Sequence, residues 1–227
     1  MNGIIGFYRS TIGKKIIMGV MGLIGVGFVI AHMAGNLQAF IGREKLNAYG
    51  AMLHGPLAEL VWLLRLVLIV AVVLHIVMAW QLTMLSRSAR PVAYKKREPQ
   101  VSTWASRTMR WGGVLLLIFI VLHILHFTTG QLDPGRWNGR VDIAGHRDVY
   151  GNLIASFRIW WVSAFYIVAM IFLGLHLYHG AWSSVRTLGV ATPGPTPLQR
   201  RVALTVAVVV WIGFTLVPLG VIAGLIR

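Results

Sequence analysis

"VWLLRLVLIVAVVLH" occupies residues 61–75, at the heart of an apolar run from about residue 60 to 85. The hydrocarbon core of a bilayer is ~30 Å thick, and about 20 helical residues at ~1.5 Å each cross it. The run exceeds that length and carries one charge, Arg65, near its start and one histidine, His75, past its middle. A helix of this length with no polar face reads as a membrane span.

Comparable runs lie near residues 16–34, 112–128, 159–182 and 203–225, each bounded by Gly, Pro or charge clusters. The third is the shortest, with Trp111 and Phe127 placed to anchor its ends. None alternates with the period of two that a barrel strand needs. The expected fold is therefore all-α: one polytopic membrane domain over residues 1–227, with five transmembrane helices in a bundle. Composition agrees, with 57% hydrophobic residues, 12% charged residues and a mean hydropathy of +0.73. The first run follows Lys14 and Lys15 and is too long for the h-region of a cleaved signal, so it is expected to remain as a span.

The chain has no cysteine, which excludes disulfides and cysteine-ligated iron–sulfur clusters within it. Any redox centre must use histidine, methionine or a non-covalent organic group. The net charge of +15 would suggest nucleic acid in a soluble protein. Here its distribution points to topology instead, and no nucleic-acid partner is expected. Between spans two and three lie Arg87, Arg90, Lys95, Lys96, Arg97, Arg107 and Arg110 against a single acid, Glu98. Arg186, Arg200 and Arg201 follow span four, and Arg9, Lys14 and Lys15 precede span one. These segments share one side of the membrane if the helices alternate, and the opposite side holds five of the six acids. Positive charge stays inside, so the N-terminus is expected in the cytoplasm and the C-terminus outside. Pro193, Pro195 and Pro197 read as stiffeners of a short inner loop.

Of eight histidines, His54 and His146 fall in outer loops and read as surface residues. The other six lie within spans, where an imidazole must be bound, paired or wetted. At ~1.5 Å per residue, His32 and His123 lie in the outer half, and His75 and His176 lie further in. Two histidines on different helices at matching depth are what the iron of one haem requires, since its axial nitrogens come from opposite faces. Two such pairs suggest two haems, offset in depth by five to ten residues. Gly22, Gly25, Gly27, Gly35, Gly174 and Gly180 would let a flat macrocycle approach the backbone.

"IGKKIIMGVMGLIGVGFVIAHMAGNLQAF" (12–40), "SRSARPVAY" (86–94), "STWASR" (102–107) and "GLHLYHGAWSSVRTLG" (174–189) resemble the b558-type cytochrome b membrane anchor of succinate dehydrogenase and fumarate reductase. The resemblance runs from about Thr11 onward, and residues 129–158 are its least typical part. It implies a multi-pass subunit of the bacterial cytoplasmic membrane with five helices, two b haems and a quinone, expected to be menaquinone. Such a subunit carries electrons between an iron–sulfur subunit, itself fed by a flavoprotein subunit, and the membrane quinone. It is the quinone-reactive part of a respiratory succinate:quinone oxidoreductase and does not bind succinate itself. Residue by residue, the resemblance makes His32 and His123 the ligands of the outer haem, and His75 and His176 those of the inner one. His179 and His126 then become neighbours of the haems rather than ligands.

Several further polar groups fit that frame. Arg65 approaches the depth of the outer haem, where propionates would attract it, or it snorkels to the interface. Lys14, Lys15, Arg87 and Arg90 sit where inner propionates or the partner surface would meet them. A quinone needs hydrogen bonds at its carbonyls and a proton route, for which Asn36, Gln38, Glu44, Asn47, Tyr49 and Glu59 are the outer candidates, while a site at the inner end near the iron–sulfur partner stays open. Three alternatives stay open: the di-haem anchor of another quinone-linked dehydrogenase, a haem-free structural anchor, and a histidine-lined metal transporter. The last would want acidic ligands within the spans.

Overall fold

A computed structural model describes residues 2–89, 103–133, 145, 147–190 and 196–227. His146, Arg90, Lys95, Lys96, Arg97, Glu98, Pro193 and Pro195 lie outside the described residues. Among the described residues there are eight α-helices and no strand: α1 (Asn2–Arg9), α2 (Thr11–Leu37), α3 (Arg43–His54), α4 (Ala58–Ser88), α5 (Trp104–His123), α6 (Val149–Phe157), α7 (Trp160–Thr187) and α8 (Pro197–Ile222). A 3-10 turn, Gln38–Phe40, prolongs α2, and a π-turn, Ile124–Thr128, prolongs α5. Five helices, α2, α4, α5, α7 and α8, are long and apolar enough to cross a membrane.

The ends follow local chemistry. Ser10 and Thr103 cap α2 and α5 by accepting from the amides of Gly13 and Ser106. Thr196 and Gln199 form a capping box at α8, with Pro197 in its first turn. Pro197 is thus a helix start rather than a loop stiffener. The cap at Thr103 also corrects the third span, which begins near residue 104 instead of 112, so Thr103 to Arg107 open a helix. The fifth span stops at Ile222 rather than 225, because Gly224 turns left-handed at φ 71° and closes the last carbonyls. The segments 43–54 and 149–157, expected as loop, are helices, as is the N-terminal segment.

Within the bundle, α2 and α7 pack on each other and both pack on α8, while α4 packs extensively on α2 and α5 on α7. At one end, here the loop end, α3 and α6 form a cap joined to the last residues of the chain. Asp148 receives bonds from Asn47 Nδ2 (3.0 Å) and the Gly151 amide (2.9 Å), and it pairs with Arg43. Asn47 Oδ1 in turn accepts from the Tyr150 amide (2.9 Å), and the Tyr150 hydroxyl donates to the Arg227 carbonyl (3.0 Å). Burial pushes the Asp148 carboxyl up, but the bonds from Asn47, Gly151 and Arg43 outweigh it and hold it below the usual carboxylate range. Under this cap, Leu46, Tyr150, Leu153, Ile154 and Phe157 pack with Val217 and Val221 of α8. The opposite end gathers Lys15, Arg87, Arg107, Arg110, Arg186, Arg200 and Arg201 and is the basic end.

Candidate functional site

α2 runs from the basic end to the loop end and carries His32 in its last two turns. α5 runs the same way and ends with His123, while the antiparallel α4 and α7 carry His75 and His176 near their middles. The four rings meet two by two. His32 and His123 have centroids 5.8 Å apart at 78°, and His75 and His176 have centroids 6.0 Å apart at 62°. A metal–imidazole bond is ~2.0–2.1 Å and the nitrogen lies ~1.1 Å from its ring centre, so one ion held between two imidazoles separates their centroids by roughly 6 Å.

Two helices independently give the spacing between the pairs. On α2, Gly22 lies against the His75 ring, and His32 comes ten residues later. On α7, Tyr166 touches His123, and His176 comes ten residues later. Ten helical residues are about 15 Å. The offset therefore stands at the upper end of the expected range.

Two of the four rings, His75 and His123, have a protein partner at Nδ1. His75 Nδ1 is 2.9 Å from the Met18 carbonyl, which places the proton on Nδ1 and leaves Nε2 as the free lone pair. His123 Nδ1 faces the Tyr166 hydroxyl at 3.3 Å. His32 is held less decisively: the Asn36 amide donates to the His32 carbonyl at 2.8 Å and reaches Nε2 only at 3.3 Å. His176 Nδ1 and His179 Nδ1 are buried with no hydrogen-bond partner among the described residues. An orphaned imidazole nitrogen is costly in a buried setting, so both rings call for a group that the described residues do not supply.

The residues fit the haems that the resemblance implies. Two opposed imidazoles per site are the donor set a haem iron takes, and the glycines supply room at particular points. An added Cβ at Gly25 or Gly180 would meet nothing within 4 Å. At Gly22 it would stand 3.2 Å from the His75 ring, so that glycine admits the histidine itself. Gly35 and Gly174 serve other neighbours, Tyr49 and Trp211. Among the described residues, no three His, Asp or Glu side chains converge to hold a metal ion alone.

The remaining candidates separate clearly. His126 sits in the π-turn with Nδ1 3.0 Å from the Tyr166 hydroxyl, beside His123 and not opposite a partner ring. His179 packs edge-on against Trp182 at 4.9 Å, one turn nearer the basic end than His176. Arg65 stacks over Trp62, 4.8 Å from its ring centre, and the indole is exposed on the flank of α4. Lys15 and Arg87 are exposed at the basic end. Lys14 is buried: its ammonium donates to the Tyr8 carbonyl at 2.7 Å and lies over the Tyr8 ring. It is committed to α1 rather than presented to a ligand. Among the quinone candidates, Asn36 and Tyr49 are brought to the level of His32. Gln38 lies in the 3-10 turn beyond, and Glu44 and Glu59 are exposed in the first turns of α3 and α4. Asn47 is withdrawn altogether, because both ends of its amide serve the Asp148 cap.

Sequence reasoning missed Tyr166. Its signal was present: it precedes His176 by ten residues, the same offset that separates Arg65 from His75, and it is a polar group at the depth of the other pair. The chain matches no protein-family model, no curated protein and no solved structure.

Proposed function

We propose that the chain is the di-haem cytochrome b anchor of a succinate:quinone oxidoreductase. In this reading it sits in the bacterial cytoplasmic membrane with its basic end toward the cytoplasm. His75 and His176 hold the haem nearer that end, and His32 and His123 hold the other. Bound there, haem supplies reversible one-electron iron chemistry. The chain's own contribution is orientation and electrostatics: the Met18 carbonyl fixes the tautomer of His75, and the apolar spans keep water from the irons. The basic end is the face for an acidic iron–sulfur partner, which a flavoprotein would feed. Asn36 and Tyr49, near His32, are the groups best placed to hydrogen-bond a quinone headgroup.

The observation that carries the reading is the double pairing. Four histidines from four spans meet as two ring pairs at 5.8 and 6.0 Å, ten residues apart along the helices. The test is a redox titration of the purified chain with single alanine substitutions. Two b-type components are expected. His75→Ala and His176→Ala should remove one, and His32→Ala and His123→Ala the other. Purified protein without haem, or loss of the same single component in all four variants, would overturn it.

A further inference from the structure

Tyr166 is the centre of an aromatic cluster in which Phe119, Phe127, Phe157 and Phe165 surround its ring at 5.1–5.8 Å. Its hydroxyl is the meeting point of two imidazoles, His126 of the π-turn at 3.0 Å and His123 of α5 at 3.3 Å. The π-turn that prolongs α5 belongs to the same few residues, and such turns recur where a helix serves a site. We propose that Tyr166 is a positioning residue that fixes the tautomer of His123 and thereby lowers the reduction potential of the outer metal site. The inference rests on the di-haem reading.

The hydrogen-bond inventory assigns the direction. A tyrosine hydroxyl has one proton to give and lone pairs to accept with. If His123 Nε2 binds the metal, Nδ1 must carry the proton and donate to the Tyr166 oxygen. The hydroxyl proton then has one nearby acceptor in the structure, His126 Nδ1. The result is a directed chain, His123 Nδ1–H to Tyr166 O–H to His126 Nδ1. Without a metal on His123 the same atoms could bond in the reverse sense, so it is the ligand role that sets the direction of the chain. An Nδ1–H that donates makes its imidazole more basic and a stronger donor to iron, which favours the ferric state.

The second site provides an internal control. His75 Nδ1 is bonded to a backbone carbonyl on α2, about 15 Å of helix away from Tyr166. Removing the Tyr166 hydroxyl therefore touches one site and leaves the other alone.

The experiment is a potentiometric titration of the haem-loaded chain bearing Tyr166→Phe, which keeps the ring in its aromatic cluster and removes only the oxygen. Both haems should be retained. The component lost in His123→Ala should be easier to reduce, with its ferric-to-ferrous ratio at fixed potential falling on the order of tenfold, which is ~59 mV for one electron. The other component should not move. In case phenylalanine does not support a folded outer site, 3,5-difluorotyrosine is placed at position 166. It leaves the ring and the oxygen in position but makes the oxygen a poorer acceptor, and it should shift the same component in the same direction by less. An unmoved outer component in the fluorinated protein, or equal movement of both components, overturns the assignment. A wild-type chain that binds no haem overturns the di-haem reading itself, which is a different outcome from two haems with an indifferent Tyr166.

Discussion

Gly25→Leu separates a haem-binding bundle from one that merely contains histidines. Gly25 lies on the same face of α2 as Gly22 and His32, three residues past the first and seven before the second, so it is about 4.5 Å of helix from the level of His75. In the protein alone an added Cβ there has no neighbour within 4 Å. Replacing a mid-helix glycine by leucine also gains roughly 0.5–1 kcal/mol of helix propensity. The chain should therefore lose no stability and gain up to about 1 kcal/mol. If a flat macrocycle lies against that backbone, four new carbon atoms stand in its way, and overpacking of this kind costs ~1–3 kcal/mol or expels the group. The two quantities move in opposite directions. Thermal unfolding of the haem-free chain in detergent should be unchanged or slightly raised, while the component lost in His75→Ala falls in a reduced-minus-oxidised spectrum. Gly22→Leu is the contrasting variant, since its Cβ already meets the His75 ring at 3.2 Å and should lower stability and haem content together. Full haem content with unaltered potentials in Gly25→Leu would refute the cradle on that face of α2.

Asp148→Ala removes the N-cap of α6, worth ~1 kcal/mol, and leaves the buried Asn47 amide short of an acceptor at ~1–3 kcal/mol. Arg43 adds less than ~1 kcal/mol because its side chain is half exposed. A loss of about 3 kcal/mol in detergent unfolding is expected. The carboxyl is depressed in the folded state, so its contribution is present above an unfolded value of ~3.9 and is lost as pH falls through the folded one. Wild-type protein should lose stability below about pH 4 through this group, and a variant with the same acid slope as wild type would show that Asp148 does not report on folding. Arg65→Gln should leave both haem potentials in place, since its guanidinium stacks on Trp62 toward the interface; a shift in the outer component in the titration would instead attach Arg65 to a propionate.

The spans were legible because a bilayer enforces a length and apolarity that no local competition overrides. Once helices alternate, counting residues at ~1.5 Å each pairs His32 with His123 and His75 with His176, and those are the rings in contact. What escaped were features made by long-range polar contacts. α3 and α6 have short, mixed sequences, and they are held by Asn47 and Asp148, 101 residues apart in the chain. Asn47 looked like a quinone ligand for the reason that makes it a good cap residue, an amide with both a donor and an acceptor. Tyr166 was hidden in the opposite way, as one more aromatic residue in an apolar run.

The packing of the spans shows what the histidine pairs contribute to the bundle. Among the spans, α4 packs extensively only on α2, and α5 only on α7, yet His75 of α4 reaches His176 of α7 and His123 of α5 reaches His32 of α2. Each pair joins two helices that do not otherwise pack along their lengths. The consequence for α4 is large, because only 6% of its most apolar window is buried inside the protein, against 39% for α8. Between lipid-facing helices there is little hydrophobic drive to associate, so a helix with one neighbour is held weakly. A group ligated from both sides would tie α4 to α7 and α5 to α2 at two levels about 15 Å apart. Anything that binds the assembled bundle and not its separated helices stabilises the assembly by mass action. In the di-haem reading, haem binding and closure of α4 and α5 onto the α2–α7 pair would be one equilibrium, and the histidines would act as structural clamps as well as ligands.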